Sequence, residues 1–313
     1  MSKLLRSTFA PAMVAGFILS AMPMFAQAPP VEGPVTTTAL VMVQSKSGAP
    51  LDPASLRLQV NRHDAPITSV TPVAAPAAQV AILIDDGLRF TFSSNLPEFT
   101  EFINKLPAGT KVLVGYMRNG EVIASGGFSD DHAAVAKQLR IPISSAGVDA
   151  SPYFCLSEFA KHWPSNQPGA RFVLMITNGV DPYNGRPSVM NQDSPYVQTA
   201  QEDAERAGVA VYSIYFPMSG IRGGRGSFSG QSYLSQVAEA TGGDTFNQGT
   251  ITPPSLEPYL NQFGKAIAES YMVTFNVNAA NKKDALTHIK LTSSQPGVKI
   301  HAPQNVHPGV DLQ

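Results

Sequence analysis

The stretch Val80-Ala81-Ile82-Leu83-Ile84-Asp85-Asp86-Gly87 decides the fold of this chain. Five apolar residues in succession are typical of a strand that is buried on both faces, as in a parallel sheet. In open α/β sheets, ligands bind at the carboxyl ends of such strands. The two carboxylates and the glycine that end this strand are therefore a candidate oxygen-ligand site for a divalent cation.

The remaining pattern alternates strands with helices. Residues 111–117, 171–177 and 209–216 predict further strands, and amphipathic segments between and after them predict helices. This alternation predicts an α/β fold with a doubly wound, mainly parallel sheet covered on both faces. The pair Asn119-Gly120 indicates a hairpin that gives the sheet one antiparallel edge. Shorter alternating stretches on either side predict flanking N- and C-terminal β segments.

The N-terminus has the layout of a secretory signal peptide. Lys3 and Arg6 precede an apolar stretch over residues 9–25, and the small residue Ala26 follows. We therefore expect an exported protein, periplasmic or extracellular, with an uncleaved N-terminal anchor as the alternative. The predicted organisation is listed here in chain order: signal peptide 1–26, flexible leader 27–36, N-terminal β attachment 37–75, main domain 76–269 and C-terminal β element 270–313.

Composition excludes several classes of function. The 313 residues carry a formal net charge of −1 and only 14% are charged, which argues against electrostatic binding of nucleic acid. After the signal segment, no stretch is long and apolar enough to span a membrane. The single cysteine, Cys155, lies between Phe154 and Leu156 and is expected to be a buried small hydrophobe. The six histidines lack the spacing of a helical metal site.

Three stretches of the chain resemble the von Willebrand factor type A family, in the bacterial branch of exported VWFA-related proteins. They are Ala-Ile-Leu-Ile-Asp at residues 81–85, Phe-Val-Leu-Met-Ile-Thr-Asn-Gly at 172–179 and Leu-Ser-Gln-Val-Ala-Glu-Ala-Thr-Gly-Gly at 234–243. Together with the order of elements, the resemblance covers roughly residues 36–310. It implies a protein-binding domain whose sheet carries a metal-ion-dependent adhesion site.

In that family the site consists of Asp-x-Ser-x-Ser, a later Thr and a final Asp. Carried over by position, Asp85 matches the first Asp, while Gly87 and Arg89 stand where the two serines belong. Ser151 matches the Thr, and Asn178 stands where the final Asp belongs. The resemblance therefore implies a degenerate site, with Asp85, Ser151 and Asn178 as its remaining candidate metal ligands.

These departures predict that binding of Mg²⁺ or Mn²⁺ is lost or weakened, so no cofactor is expected with certainty. Two hydroxyl ligands and one negative charge are missing, and the guanidinium of Arg89 could pair with Asp85 in place of the cation. In the alternative, Arg89 points to solvent and Asp86 or Asp181 supplies replacement oxygens.

The leading functional hypothesis is a non-enzymatic protein-binding or scaffold module. Its partner is expected to be another protein, bound by loops at the carboxyl edge of the sheet; the candidate contact residues are Asp86, Gly87, Arg89, Ser151 and Asp181. One alternative is Mg²⁺- or Mn²⁺-dependent adhesion through a partner's carboxylate. A remote alternative is an exported hydrolase that uses Asp85 and Asp86. The glycine-rich residues 219–230 are expected to form a mobile insertion near this edge.

Overall fold

The computed structural model describes residues 33–88, 90–144, 151–185, 192–217, 223–247, 249, 251–278 and 285–312. These residues belong to one compact unit, Glu32–Gln313. The predicted signal peptide, 1–26, and residues 27–32 of the predicted leader lie outside the described residues. The first strand begins at Pro34, within residues 27–36 that were predicted as the leader.

The described residues form strands and helices as follows. The strands are β1 (Pro34–Ser45), β2 (Leu56–Val60), β3 (His63–Ala65), β4 (Ile67–Pro72), β5 (Ala78–Asp85), β6 (Lys111–Arg118), β7 (Glu121–Ala124), β8 (Ala170–Thr177), β9 (Val209–Tyr215), β10 (Thr245–Phe246), β11 (Ser270–Asn278), β12 (Thr287–Ser293), β13 (Val298–His301) and β14 (Asn305–Val306). The α-helices are α1 (Leu96–Lys105), α2 (His132–Ala136), α3 (Pro152–Lys161), α4 (Pro195–Arg206), α5 (Gly223–Thr241) and α6 (Glu257–Ala268).

The central sheet has six strands in the order β10-β9-β8-β5-β6-β7. All neighbours are parallel except β6 and β7, which pair as an antiparallel hairpin. The predicted α/β class and mainly parallel sheet are confirmed. The first strand of this sheet, β5, lies in its middle, and the order of strands reverses between β5 and β8. Ligands of doubly wound sheets bind at the carboxyl edge beside such a reversal.

Helices cover both faces of the central sheet. On one face, Phe99 of α1 and Phe263 of α6 pack against β5, β6, β8 and β9. On the other, Tyr153 of α3, Val197 of α4 and Leu234 of α5 pack against the same strands. Because β5 is covered twice, its residues Val80–Ile84 have no exposed surface. This is the burial that its unbroken apolar sequence predicts.

The flanking segments of the chain combine into one β-sandwich. Strand β1 pairs with β11 and strand β2 with β12, so the N-terminal and C-terminal segments contribute to both sheets. The sheet orders are β13-β1-β11-β4 and β14-β12-β2-β3. Alternating apolar residues such as Val41, Leu58 and Phe275 form the core between the two sheets. The segments 37–75 and 270–313, predicted as separate attachments, therefore share one hydrophobic core.

The glycine-rich stretch differs from its prediction. The expected helix was 232–240, with a mobile insertion at 219–230, whereas α5 already begins at Gly223. Glycine has low intrinsic helix propensity, but packing against the sheet overrides it here. A Cβ atom at Gly230 would lie 2.2 Å from the carbonyl oxygen of Asn178, so glycine allows the helix to approach the end of β8.

Candidate functional site

The side chain of Asp85 lies at the point where the strand order reverses. Asp85 is opposite Met117 of β6, one residue beyond the last pairing of β5 with β8. Its Oδ1 accepts a hydrogen bond from the N–H of Gly87 over 2.9 Å, and its Oδ2 accepts one from the hydroxyl of Thr177 over 2.7 Å. Burial raises the pKa of Asp85, the hydrogen bonds from Thr177 and Gly87 oppose that rise, and the nearby charge of Asp86 adds to it.

Asp86 has a different environment from Asp85. It is fully buried, and its carboxylate forms a two-pronged ion pair with Arg140, whose Nη1 and Nη2 lie 2.6 and 3.1 Å from Oδ1 and Oδ2. The N–H of Ile143 also donates to Oδ1 over 3.1 Å. Burial acts to raise the pKa of Asp86, but the hydrogen bonds from Arg140 and Ile143 outweigh it and lower the pKa overall. The carboxylate of Asp86 is thus bound within the chain, and a partner contact at this residue stays a prediction.

Ser151 and Asn178 have local capping roles. Ser151 is the N-cap of α3, where its Oγ accepts a hydrogen bond from the N–H of Tyr153 over 3.3 Å. The Oδ1 of Asn178 accepts one from the N–H of Val180 over 2.8 Å. Among the described residues, no hydrogen bond joins Asp85 to Ser151 or Asn178. The structure thus joins Asp85 to Thr177 rather than to the other two candidate ligands.

The other predicted contact residues fall into three groups. Asp181 is 3% exposed and binds the hydroxyl of Ser194, the N-cap of α4, over 2.8 Å, so it joins the loop after β8 to that helix. Asp181 and the fully buried Ser151 therefore both have hydrogen-bond partners within the chain, and their role as partner contacts stays a prediction. Gly87 is partly exposed. Arg89, and with it the predicted Arg89–Asp85 pair, lies outside the described residues.

Among the described residues, the three candidate ligands do not form a ready-made site for a divalent cation. Mg²⁺ requires nearly octahedral oxygen ligands with free lone pairs. Here Asp85, Ser151 and Asn178 use their side-chain oxygens to accept hydrogen bonds from the chain itself. Over the described ranges, no group of three or more His, Cys, Asp or Glu side chains could hold a metal ion.

Exposed apolar side chains lie on several segments at the carboxyl edge of the sheet. We call the well-exposed large apolar residues of the described chain the apolar rim; they are Ile123, Ile141, Ile143, Tyr183, Tyr196, Phe228 and Ile251. Ile141 and Ile143 follow Arg140, which is bound to the end of β5. Ile143 is 68% exposed although its N–H is held by Asp86.

The other members of the apolar rim also follow strand ends or lie near helix starts. Tyr183 lies in the loop after β8, and Ile251, which is 73% exposed, lies in the loop after β10. Tyr196 lies in the first turn of α4, and Phe228 lies two residues before the contact of α5 with Asn178. Ile123 pairs with Tyr116, next to the pair that contains Met117.

Three rings of this edge form an aromatic cluster. Phe154 of α3 lies 5.1 Å from Tyr183 and 4.9 Å from Tyr196, and the two tyrosine rings are 6.3 Å apart. Two of the three contacts are edge-to-face, the geometry in which aromatic rings attract one another. The cluster links the starts of α3 and α4 to the loop after β8 and leaves Tyr183 56% exposed.

Cys155 has the inert environment that its neighbours in the sequence predict. It is buried on α3, and burial raises the pKa of its thiol to about 12. A thiol with such a pKa stays protonated at neutral pH and is a poor nucleophile.

Sequence reasoning missed Arg140, Tyr116 and the apolar rim. Arg140 lies 54 residues from Asp86 in the chain, so no local pattern connects them. Only the Ile-Pro-Ile stretch at residues 141–143, apolar in a loop, is a sequence signal that could have indicated an exposed contact segment.

The chain was compared with known proteins. No family model matches it, and no curated protein matches its sequence. Among solved structures, von Willebrand factor type A from Catenulispora acidiphila is 10% identical, with a TM-score of 0.46 over 90% of this chain and 75% of that one. An aerotolerance-related membrane protein from Bacteroides fragilis is also 10% identical, with a TM-score of 0.42 over 61% of this chain and 98% of that one.

A third solved structure is the ArnB paralog VWA2 from Sulfolobus acidocaldarius. It is 9% identical, with a TM-score of 0.39 over 88% of this chain and 76% of that one. Von Willebrand factor type A proteins are thus among the structural neighbours of this chain, at a similarity that carries over no function.

Proposed function

We propose that this protein is an exported, non-enzymatic protein-binding or scaffold module that binds another protein through the carboxyl edge of its central sheet. The observation that carries the proposal is the position of the apolar rim. Its seven members all lie on segments at this one edge. Within the rim, Tyr183 and Tyr196 both contact the ring of Phe154, and Ile141 and Ile143 lie two residues apart. Neighbouring exposed apolar side chains of this kind are typical of a binding site, whereas single exposed apolar residues are ordinary.

The identity of the rim residues also favours a protein partner. Tyrosine side chains contribute a large apolar area and a hydroxyl at low cost in conformational entropy, and aromatic residues are enriched at interfaces. The Phe154–Tyr183–Tyr196 cluster holds two such rings in mutual contact, which reduces the ordering they would undergo on binding. The edge is thereby partly preorganised.

Export and metal independence are further parts of the proposal. Export rests on the signal-peptide layout of residues 1–26. No helix of the described chain is long and apolar enough to cross a membrane. A weak or absent metal requirement is supported by the hydrogen bonds that already engage Asp85 and Asn178.

Site-specific photo-crosslinking in living cells tests the proposed interface. A crosslinkable amino acid would replace Ile143, Tyr183 or Phe228, with Thr292, exposed on the sandwich strand β12, as the control position. We expect one common adduct from the three rim positions and none from Thr292. Adding EDTA should not reduce the yield of the adduct. Equal adducts from all four positions, or none from the rim, would contradict the proposal, and loss in EDTA would favour metal-dependent adhesion.

The purified partner then allows a direct affinity measurement. We expect the double substitution Ile143→Ser and Tyr183→Ser to weaken binding on the order of a hundredfold, since two apolar contacts of about 1–2 kcal/mol each are removed. Lys290→Ser, on the exposed surface of β12, is the matched control and should leave the affinity unchanged.

A further inference from the structure

Two neighbouring carboxylates connect the end of β5 to two other segments of the edge. Asp85 binds the hydroxyl of Thr177 and so joins β5 to the end of β8. Asp86 binds Arg140 and so joins β5 to residues 140–144, which follow α2. In the site implied by the family resemblance, a divalent cation would connect such segments.

The connection to residues 140–144 uses both the side chain and the backbone of Asp86. The guanidinium of Arg140 and the N–H of Ile143 donate to its carboxylate. The backbone carbonyl of Asp86 accepts the N–H of Ser144 over 3.0 Å. Two-pronged arginine–carboxylate pairs are among the strongest and most directional hydrogen-bonded contacts in proteins.

Arg140 is itself fixed by further contacts. Its guanidinium lies 3.7 Å from the ring centre of Tyr116, and its Nη1 also donates to the carbonyl of Ile141 over 3.0 Å. The hydroxyl of Tyr116 accepts the backbone N–H of Arg140 over 2.5 Å and donates to its carbonyl over 2.8 Å. The carboxylate of Asp86, the ring of Tyr116 and the hydroxyl of Tyr116 thus all restrain the position of Arg140.

We propose that the guanidinium of Arg140 is the built-in cation of this edge: it holds residues 140–144 against the end of β5, so that the edge keeps its shape without a divalent ion. Arg140 is a positioning residue: its role is to hold residues 140–144 in place rather than to contact the partner itself. This segment carries Ile141 and Ile143, which are 42% and 68% exposed. The inference concerns the shape of the free protein and does not depend on the partner.

Amide hydrogen exchange of the full-length protein measures the proposed role directly. In the wild type we expect slow exchange at Ile143 and Ser144, unchanged by EDTA or by millimolar Mg²⁺. In Arg140→Gln the same two amides should exchange on the order of tenfold faster or more, because their segment opens locally. Amides of the β8 core should not change.

Two controls separate the proposed role from a general loss of charge or stability. Lys137→Gln removes one positive charge from an exposed position three residues away and should leave the exchange of Ile143 and Ser144 unchanged. Arg140→Lys keeps the charge but not the planar fork and should give an intermediate rate. If Arg140→Gln does not fold, Asp86→Asn tests the same pair through Ser144, whose N–H is bound by the backbone carbonyl of Asp86 and not by its carboxylate, and exchange there should be faster.

Two results would overturn the inference. One is a folded Arg140→Gln in which Ile143 and Ser144 exchange at the wild-type rate, or in its place a folded Asp86→Asn in which Ser144 does. The other is slower wild-type exchange in Mg²⁺ that Asp85→Ala abolishes, because that result would show a divalent ion holding the edge. Both measurements use the protein without its partner, so they are distinct from the crosslinking test of function.

Discussion

Glu205 of α4 accepts three hydrogen bonds from Asn305 of β14, one from the backbone N–H over 3.0 Å and two from the side-chain amide over 2.9 and 3.1 Å. The carboxyl group is 4% exposed. This contact joins a helix of the central α/β part to the sandwich. It also places an ionisable group where burial raises its pKa to about 7, against opposing hydrogen bonds from Asn305.

The pKa of Glu205 predicts that stability falls as pH rises from about 4.5 to about 7. In that window the unfolded chain has released the proton that the folded protein still binds, so the free energy of unfolding decreases with pH. Each unit of pKa difference corresponds to about 1.4 kcal/mol, which makes the full effect at most about 3.5 kcal/mol. Urea unfolding at a series of pH values measures this slope.

Glu205→Gln provides the comparison with the wild type. It should raise the free energy of unfolding above pH 7 and flatten the slope between pH 4.5 and 7. Glu239→Gln, on the exposed side of α5, is the matched control and should leave the slope unchanged. An unchanged slope in Glu205→Gln would contradict the assignment of this pH dependence to Glu205.

Asp203→Ala should destabilise the packing of α3 against α4. The Asp203 carboxylate is 5% exposed and binds the hydroxyl of Ser157 over 2.6 Å, Lys161 over 2.9 Å and Arg206 over 2.9 Å. Its loss leaves a hydroxyl and two cations without this partner, which costs about 2 kcal/mol or more. Chemical denaturation measures the loss, and Glu202→Ala, which removes a more exposed partner of Arg206, should cost less than about 1 kcal/mol.

Gly230→Ala should push the start of α5 away from the end of β8. The added Cβ atom would meet the Asn178 carbonyl oxygen at 2.2 Å, and that oxygen belongs to the backbone. We expect a loss of about 1–3 kcal/mol in unfolding free energy, as in overpacked cores, despite the better helix propensity of alanine. Gly127→Ala, where no heavy atom lies within 4 Å of the added Cβ, should be nearly neutral. Thermal unfolding of the two variants side by side distinguishes a steric cost from a general intolerance of alanine.

Cys155 should react with thiol reagents only when the protein unfolds. Its thiol is buried and its pKa is raised to about 12, so few molecules carry the reactive thiolate at pH 8. A colorimetric disulfide reagent should modify the protein rapidly in guanidinium and orders of magnitude more slowly in buffer. Rapid modification of the native protein would show that α3 opens far more readily than its packing indicates.

Much of the central sheet follows from local sequence, because a strand covered on both faces must be apolar throughout. The unbroken apolar run Val80–Ile84 predicts a buried strand, as observed. The alternation of such runs with amphipathic segments predicts a sheet between two layers of helices. Helix α5 was partly missed, since glycines have low helix propensity, and of those in the stretch 223–230 the contact of Gly230 with Asn178 is a tertiary feature that no local pattern shows.

The location of the candidate site could be predicted from the sequence, but the hydrogen-bond partners of its side chains could not. Asp85 and Thr177 each end a buried strand, and parallel pairing brings strand ends together. The partner of Asp86 could not be inferred, because Arg140 is one of several arginines and lies on a segment whose path depends on α2 and Tyr116. The exposure of Ile143 depends on that same path.

The sandwich described above has a consequence for the order of folding. The hydroxyls of Thr38 in β1 and Thr274 in β11 lie 3.4 Å apart although 236 residues separate them in the chain. Pairings over such separations form slowly, because the entropy of closing the long loop is lost before any contact compensates for it. During synthesis, Ala39, Val41 and Val43 of β1 therefore lack their partners on β11 until the last part of the chain has been made, and an unpaired apolar strand is prone to aggregation in that interval.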